Sequence, residues 1–137
     1  MATIQALAQA PPLIAVVDDD AAVCSSLKFA LELEGFRVRT FAGGTELLGA
    51  PDIAACRCFV VDQKMPGMSG LELIGKLREH DIAAPAILII SQPSVALSAR
   101  AANAHVPIVE KPLLGNALLD RIHEALLRTP CPPPPVH

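Results

Sequence analysis

The sequence predicts an α/β fold: a doubly wound, five-stranded parallel sheet formed by one domain. Two observations lead to this prediction. Short apolar runs alternate five times with helix-like segments, and the chain of 137 residues has the length of a single domain. Because parallel strands are joined by right-handed crossovers, such an alternation places helices on both faces of the sheet.

Five segments have the length and composition of strands: Leu13–Val17, Phe36–Thr40, Phe59–Val61, Ala86–Ile90 and Val106–Val109. The first, third and fourth are continuous apolar runs, which is typical of strands that are buried on both faces. The second alternates in polarity. The fifth contains Pro107, which has no N–H to donate to a neighbouring strand, and we therefore expect it at an edge of the sheet.

Helices are predicted over Ala21–Glu34, Thr45–Gly49, a segment opened by Ser69, Ser94–Ala104 and Gly115–Arg128. Asp20 has the position of an N-cap and Gly35 that of a helix stop. Ser69 and Glu72 have the spacing of a capping box, and this third helix would direct Leu71, Ile74 and Leu77 inward. We expect three parts: an extension (1–12), the folded domain (13–128) and a proline-rich tail (129–137).

Composition excludes several classes of function. Apolar residues make up 52% of the chain and charged residues 18%, as in an ordinary folded domain. The net charge of −3, without a basic cluster, argues against nucleic acid as a direct partner. No apolar run approaches a membrane span, and the N-terminus lacks the charge pattern of a signal peptide, so we expect a cytoplasmic protein without a membrane partner.

The cysteines have no C-x-x-C spacing that would indicate a metal or redox site. Period-2 alternation would put Cys56 and Cys58 on one face of a strand, where a metal or redox pair is conceivable. Buried, small apolar side chains are the favoured interpretation.

Chemically reactive side chains follow the buried strands. Asp62 ends the third strand, and an acid there needs water, a cation or hydrogen-bond donors. Asp18 and Asp19 follow the first strand, Ser91 the fourth and Lys111 the fifth. Since parallel strands end at one edge of the sheet, these groups would share a crevice. Clustered carboxylates favour a cation, and Mg²⁺ prefers such oxygen ligands. A carboxylate beside Mg²⁺ and a lysine suits phosphoryl transfer.

The same residues resemble the receiver domain of bacterial two-component response regulators, most closely the FixJ-type branch. The resemblance rests on VVDDD (16–20), VVDQKMPGMSG (60–70), Ser91 and Glu110-Lys111-Pro112, and it extends from Leu13 to about Arg128. It implies a flavodoxin-like (βα)5 fold with strand order 2-1-3-4-5. It also implies that Lys111-Pro112 is a cis peptide bond, which only about 5–6% of X-Pro bonds are.

The resemblance further implies the roles of the site residues. Asp62 would accept a phosphoryl group from a sensor histidine kinase or a histidine phosphotransfer protein. Asp18, Asp19, Asp62 and the backbone carbonyl of Lys64 would bind Mg²⁺, and Ser91 and Lys111 would contact the phosphoryl group. With no room for an output domain, we expect a stand-alone response regulator that is not a turnover enzyme. It would act on an unknown downstream protein or as a phosphate sink in a phosphorelay.

Some features leave other functions open. Receivers usually carry an aromatic residue on the fifth strand, where this chain has Ile108. The usual aromatic switch therefore cannot operate in this chain. The alternative function is a protein-binding module that works independently of phosphorylation. A phosphatase would need a second acid at the position of Lys64, and a flavin or nucleotide carrier would need a Gly-rich or Ser/Thr-rich phosphate loop in place of Asp18 and Asp19. Asp18 and Asp19 could also be solvated loop acids, but this interpretation is weaker than a metal-binding role. Lys64 could influence how water reaches an acyl phosphate.

Overall fold

The computed structural model describes residues 11–113 and 116–128. The strands are β1 (Leu13–Val17), β2 (Arg37–Phe41), β3 (Cys58–Asp62), β4 (Ala86–Ile90) and β5 (Ile108–Glu110). The helices in these ranges are α1 (Ala21–Leu33), α2 (Gly44–Leu48), α3 (Gly70–Glu79), α4 (Val95–Asn103) and α5 (Ala117–Arg128), and a single 3₁₀ turn covers Ile53–Ala55. The predicted α/β alternation is confirmed.

All five strands are parallel and form one sheet in the order β2-β1-β3-β4-β5. This confirms the doubly wound, flavodoxin-like topology. Every residue of β1, β3 and β4 is buried, as their continuous apolar runs predict. Because the order reverses between β1 and β3, their carboxyl ends border the crevice where open α/β sheets bind ligands.

The core has two parts, one on each face of the sheet. Helices α2, α3 and α4 cover one face with side chains that include Leu47, Leu73, Leu77 and Ala101. Helices α1 and α5 cover the other with Cys24, Leu31, Leu118, Ile122 and Ala125. The sheet is therefore held between two apolar layers, and its carboxyl edge is left free for polar groups.

The N-caps predicted at Asp20 and Ser69 and the helix stop predicted at Gly35 agree with the structure, whereas the predicted bounds of the other helices differ by one residue or more. Asp20 Oδ1 accepts hydrogen bonds from the backbone N–H groups of Ala22 and Val23, so Asp20 is the N-cap of α1. Gly35 follows α1 with a φ of +96°, a conformation that glycine adopts without steric cost. Ser69 and Glu72 form the capping box of α3. These local signals mark both ends of α1 and the start of α3.

Some details differ from the sequence-based expectations. In α3, Leu73 is fully buried with Ile74 and Leu77, whereas Leu71 is half-buried. The fifth strand begins two residues later than predicted, so Pro107 precedes it. The carbonyl of Pro107 still accepts a hydrogen bond from Leu88 N, and β5 is an edge strand as predicted.

The structure bears on three of the four cysteines; Cys131 lies outside the described residues. Cys24, Cys56 and Cys58 are free and buried, as expected. The prediction that Cys56 and Cys58 share a face is wrong. Cys56 follows the 3₁₀ turn and packs with the α2–α4 layer, whereas Cys58 begins β3 and packs with the α1–α5 layer. Burial raises the pKa of Cys56 to about 11 and that of Cys58 to about 12.

Parts of the predictions fall on segments outside the described residues. These are residues 1–10 of the expected extension, Gly115 at the expected start of the last helix, and the expected tail, residues 129–137. Within the described residues, none of the helices combines the length and apolar character needed to cross a membrane.

Candidate functional site

Three charged side chains meet at the carboxyl edge of the sheet. Asp18 follows β1, Asp62 is the last residue of β3, and Lys111 follows β5. Lys111 Nζ lies 3.2 Å from Asp62 Oδ1 and 3.5 Å from Asp18 Oδ2. Asp18 and Asp62 are each only 4% exposed. The predicted convergence of these residues in one crevice is confirmed.

Backbone contacts hold Asp18 in place. Its N–H donates to the carbonyl of Phe41 at 3.0 Å, which continues the pairing of β1 with β2 beyond the strand. Its Oδ1 accepts from Asp20 N at 2.9 Å, and its carbonyl accepts from the Cys24 thiol at 3.2 Å. The Asp18 carboxylate is therefore oriented by the same turn that starts α1.

Asp62 is a buried acid with incomplete hydrogen bonding. Among the described residues, its Oδ1 is paired with the Lys111 ammonium at 3.2 Å and has no further hydrogen-bond donor. Burial raises the pKa of Asp62, and the charge of Asp18 raises it further, although Lys111 lowers it in part. A further cation at this position would favour the ionised carboxylate.

Lys111 is held close to the end of β4. Its N–H donates to the carbonyl of Ile90 at 2.7 Å, and the Lys111-Pro112 peptide bond is cis, as the resemblance implied. Desolvation lowers the pKa of Lys111, but the attraction of Asp62 and Asp18 outweighs it, so the net pKa is raised. Lys111 therefore carries a positive charge at neutral pH.

The acids also form a cluster suited to a metal ion. Asp18, Asp19 and Asp62 each offer a carboxylate oxygen, and these oxygens lie within 4.8 Å of one another. Two of the three residues are buried, and Asp62 Oδ1 has no hydrogen-bond donor besides Lys111 within the described chain. Hard oxygen ligands of this kind fit Mg²⁺ rather than a thiolate-binding metal.

Lys64 and Ser91 lie in the loops that follow β3 and β4. Lys64 is exposed in the loop after β3, and Ser91 is exposed directly after β4. Both line a groove of about 350 Å³ that Met65 and Leu97 also border. Ser91 directly follows β4, as predicted. In the described part of the chain its side chain makes no hydrogen bond to the acids, and its contact with a phosphoryl group stays a prediction.

Sequence analysis missed Gln63. Its N–H donates to Ile89, and its side-chain Oε1 accepts from Leu71 N at the start of α3. A polar residue directly after Asp62 was the only signal in the sequence. The partner on α3 is eight residues away, and only the folded loop brings the two together.

Ile108 occupies the position on β5 that was singled out for lacking an aromatic ring. It is half-buried and packs against the core layer that contains Leu88 and Ala101. Its neighbour Val109 packs on the opposite layer. The first two residues of β5 are thus aliphatic and pack on opposite layers of the core, and the exposed Glu110 separates them from Lys111.

The fold and the site together define a doubly wound α/β protein with an acidic, lysine-bearing crevice at the switch point of its sheet. The chain belongs to the response regulator receiver domain family, whose model matches residues 14–123. Receiver domains are the phosphoacceptors of two-component signalling, and they typically bind Mg²⁺ in an acidic pocket. The predicted family is confirmed.

Individual relatives support this assignment. The chain is 33% identical over 108 residues to the C4-dicarboxylate transport transcriptional regulatory protein DctR of Rhodobacter capsulatus, with 77% of this chain and 55% of DctR covered. It is 32% identical over 114 residues to the transcriptional regulatory protein FixJ of Bradyrhizobium diazoefficiens, with 82% of this chain and 56% of FixJ covered. The crystal structure of FixJ-N superposes with a TM-score of 0.75 at 31% identity, covering 85% of this chain and 94% of that chain.

The chain spans about half the length of these two curated relatives. Both are named as transcriptional regulators, so the expectation that this chain has no nucleic-acid partner stays a prediction.

Proposed function

We propose that this chain accepts a phosphoryl group on Asp62 from a sensor histidine kinase or a histidine phosphotransfer protein, in a Mg²⁺-dependent reaction. The observation that carries the proposal is the buried Asp62 carboxylate, which faces the Lys111 ammonium and lies next to two further acids. In this proposal residues 13–128 form the receiver unit, and the reaction takes place in the cytoplasm.

The chemistry is a transfer from nitrogen to oxygen. A carboxylate oxygen of Asp62 attacks the phosphorus of a phosphohistidine, the P–N bond breaks, and the donor imidazole leaves with the electron pair of that bond. The product is a mixed anhydride on Asp62. Burial of Asp62 supports this role, because a carboxylate that is poorly solvated in a preorganised site needs little solvent reorganisation to react.

The remaining residues bind and orient the reactants. Asp18, Asp19, Asp62 and the backbone carbonyl of Lys64 would hold Mg²⁺, which when bound neutralises charge on the phosphoryl oxygens. Lys111 would supply a second positive charge to the same oxygens after it exchanges its ion pair with Asp62 for one with the phosphoryl group. Ser91 would donate a hydrogen bond from the rim of the groove.

The output is a change in protein contacts or the removal of phosphoryl groups from a relay. No catalytic turnover beyond slow hydrolysis of the acyl phosphate is proposed. The relatives support a signalling role because they are named as regulatory proteins. The cognate kinase and the downstream protein would be recognised by surfaces outside the acidic crevice.

A second candidate function is a protein-binding module that works independently of phosphorylation. The observation that favours it is Ile108, whose half-buried aliphatic side chain packs against the core at the position of the usual aromatic residue. Beryllofluoride with Mg²⁺ mimics the phosphoryl group and separates the two candidates. Amide shifts at Ile108 and Val109 on its addition would support phosphorylation-coupled output, and their absence would favour the binding module.

Reductive trapping tests the proposed acceptor. The protein is incubated with acetyl phosphate and Mg²⁺ and then reduced with borohydride, which converts an aspartyl phosphate to homoserine. We expect homoserine at position 62 and none at positions 18 and 19. Homoserine at Asp18 or Asp19, or at no acid in the chain, would contradict the proposal.

A further inference from the structure

Gln63 is held by three hydrogen bonds directly beside the proposed phosphoacceptor. Its backbone N–H donates to the carbonyl of Ile89 at 2.9 Å, and its own carbonyl accepts from Gly70 N at 3.0 Å. Its side-chain Oε1 accepts from Leu71 N at 2.9 Å. One residue thus connects the end of β3 to both β4 and the start of α3.

These bonds restrain the two peptide groups on either side of Gln63. The peptide that joins Asp62 to Gln63 is fixed through its N–H, and the peptide that joins Gln63 to Lys64 is fixed through its carbonyl. Because peptide groups are planar, each bond orients the whole group. The backbone of Asp62 and the first half of the Lys64 backbone are therefore positioned together.

Helix α3 packs unusually close to this backbone. A Cβ at position 70 would lie 2.6 Å from the Asp62 carbonyl oxygen and 3.0 Å from Gln63 Cα. Only glycine permits this approach. The start of α3 is thus in direct contact with the residue that carries the proposed phosphoryl acceptor.

The side chain of Gln63 completes this contact. The first N–H groups of a helix have no partner within the helix. Here Ser69 Oγ accepts from Glu72 N, whereas Leu71 N finds its acceptor in Gln63 Oε1. Of these two caps, only Gln63 comes from the strand end that carries Asp62.

We propose that Gln63 is a positioning residue of the phosphoacceptor site: its side chain ties α3 to the end of β3 and thereby positions the backbone on both sides of it, from Asp62 to the start of Lys64, the two residues that would supply Mg²⁺ ligands. This inference rests on the proposed function. It assigns a role to a residue that does not itself touch the phosphoryl group or the metal ion.

Two variants separate positioning from helix stability. Gln63→Met keeps the length of the side chain but removes the acceptor for Leu71 N. Ser69→Ala removes the other cap of the same helix, which is not attached to the strand end. Both should lower stability, since each leaves one helix N–H without its acceptor. Only Gln63→Met should disturb the geometry around Asp62.

The first measurement is amide hydrogen exchange without Mg²⁺. We expect the Leu71 amide to exchange faster in Gln63→Met than in the parent protein, and Gln63→Glu, which keeps an acceptor oxygen, to restore its protection. The second is the Mg²⁺ concentration that half-saturates the amide shifts of the site. We expect it to rise about tenfold in Gln63→Met, as for other outer-shell partners of metal ligands, and to stay at the parent value in Ser69→Ala.

The results distinguish failure of this inference from failure of the proposed function. If the parent reacts with acetyl phosphate and Gln63→Met shows the same Mg²⁺ dependence as Ser69→Ala, Gln63 has only a structural role and the inference is wrong. If the parent itself neither responds to Mg²⁺ nor gains a phosphoryl group, the proposed function fails and the inference fails with it.

Discussion

Lys111 Nζ lies 3.2 Å from Asp62 Oδ1, although the strands that carry the two residues are not neighbours. Strand β4 lies between β3 and β5, and the Lys111 side chain reaches across its carboxyl end. The N–H of Lys111 is bonded to Ile90, the last residue of β4. The ammonium group thus closes the crevice on the side opposite β1 and neutralises part of its negative charge.

Removing this ammonium group should destabilise the metal-free protein. In Lys111→Met the nearly buried carboxylates of Asp18 and Asp62 lose their shared cation, and we expect a loss of about 1–3 kcal/mol in the free energy of unfolding. Mg²⁺ should reduce the loss because it supplies a replacement charge. Urea unfolding with and without Mg²⁺ measures both quantities.

Lys28 provides the matched control. Its ammonium pairs with Glu32 one helical turn away, and both side chains are well exposed. Lys28→Met should cost about 0.3–0.5 kcal/mol and show no dependence on Mg²⁺. Equal losses in the two variants would mean that Lys111 is an ordinary surface lysine.

The contact of α3 with Asp62 predicts opposite effects for two glycines of one helix. In Gly70→Ala the new Cβ would meet the Asp62 carbonyl oxygen at 2.6 Å and Leu88 Cδ1 at 2.7 Å, so we expect a loss of about 1–3 kcal/mol. In Gly75→Ala nothing lies within 4 Å of the new Cβ. Alanine there should stabilise the helix by about 0.5–1 kcal/mol. Thermal or urea unfolding compares the two.

The same pair also tests the coupling of α3 to the site. Gly70→Ala should slow phosphorylation by acetyl phosphate, because the displaced backbone carries Asp62, whereas Gly75→Ala should react at the parent rate. A Gly70→Ala protein with unchanged stability and unchanged reactivity would contradict the described packing.

The raised pKa of Asp62 predicts how stability depends on pH. An acid whose pKa is higher in the folded chain destabilises that state when it is ionised. The penalty is complete above the folded pKa and disappears as the pH falls below the ordinary value of 3.8, where the carboxyl group is protonated in both states. Without Mg²⁺, Asp62→Asn should therefore be more stable than the parent near about pH 7, with a smaller difference near about pH 4.

Urea unfolding across this pH range checks the prediction, and Asp81→Asn serves as the control because Asp81 is exposed in a turn after α3. A pH-independent gain in Asp62→Asn would indicate that packing rather than charge is responsible. A loss of stability near neutral pH would show that ionised Asp62 stabilises the metal-free fold.

Lys64 should control how long the acyl phosphate survives. Its exposed side chain lines the groove in the loop after β3, two residues beyond Asp62, and we expect it to hinder the approach of water to the acyl phosphate. We expect Lys64→Ala to lose its phosphoryl group faster, by up to about tenfold, which corresponds to about 1.4 kcal/mol in the barrier. Lys64→Met keeps most of the length of the side chain but removes its charge. Its decay rate should match that of the parent if the side chain protects the acyl phosphate by steric shielding from water rather than by its charge. An unchanged decay rate in Lys64→Ala would disprove this hypothesis.

Most of the fold could be predicted because its signals are local. Continuous apolar runs mark the buried strands β1, β3 and β4, and Asp20, Gly35 and Ser69 mark helix ends. The charged part of the site could also be predicted. Asp18 and Asp62 follow directly on predicted strands and Lys111 comes two residues after another, and parallel strands bring their ends to one edge.

Other features depend on contacts that sequence patterns do not contain. The 3₁₀ turn before β3 interrupts the alternation, and Cys56 and Cys58 therefore pack in different layers. The bond from Leu71 N to Gln63 exists only because the loop folds back on the strand end. Such contacts form only in the folded loop and have no periodic signal in the sequence.

Mg²⁺-dependent phosphorylation of Asp62 is tested by intact mass after incubation with acetyl phosphate, with and without Mg²⁺, for the parent and for Asp62→Asn. The absence of Trp and Tyr makes mass a more practical signal than fluorescence. We expect one added phosphoryl group, only with Mg²⁺ and only when Asp62 is present. No added mass in the parent, or an equal addition to Asp62→Asn, would contradict it.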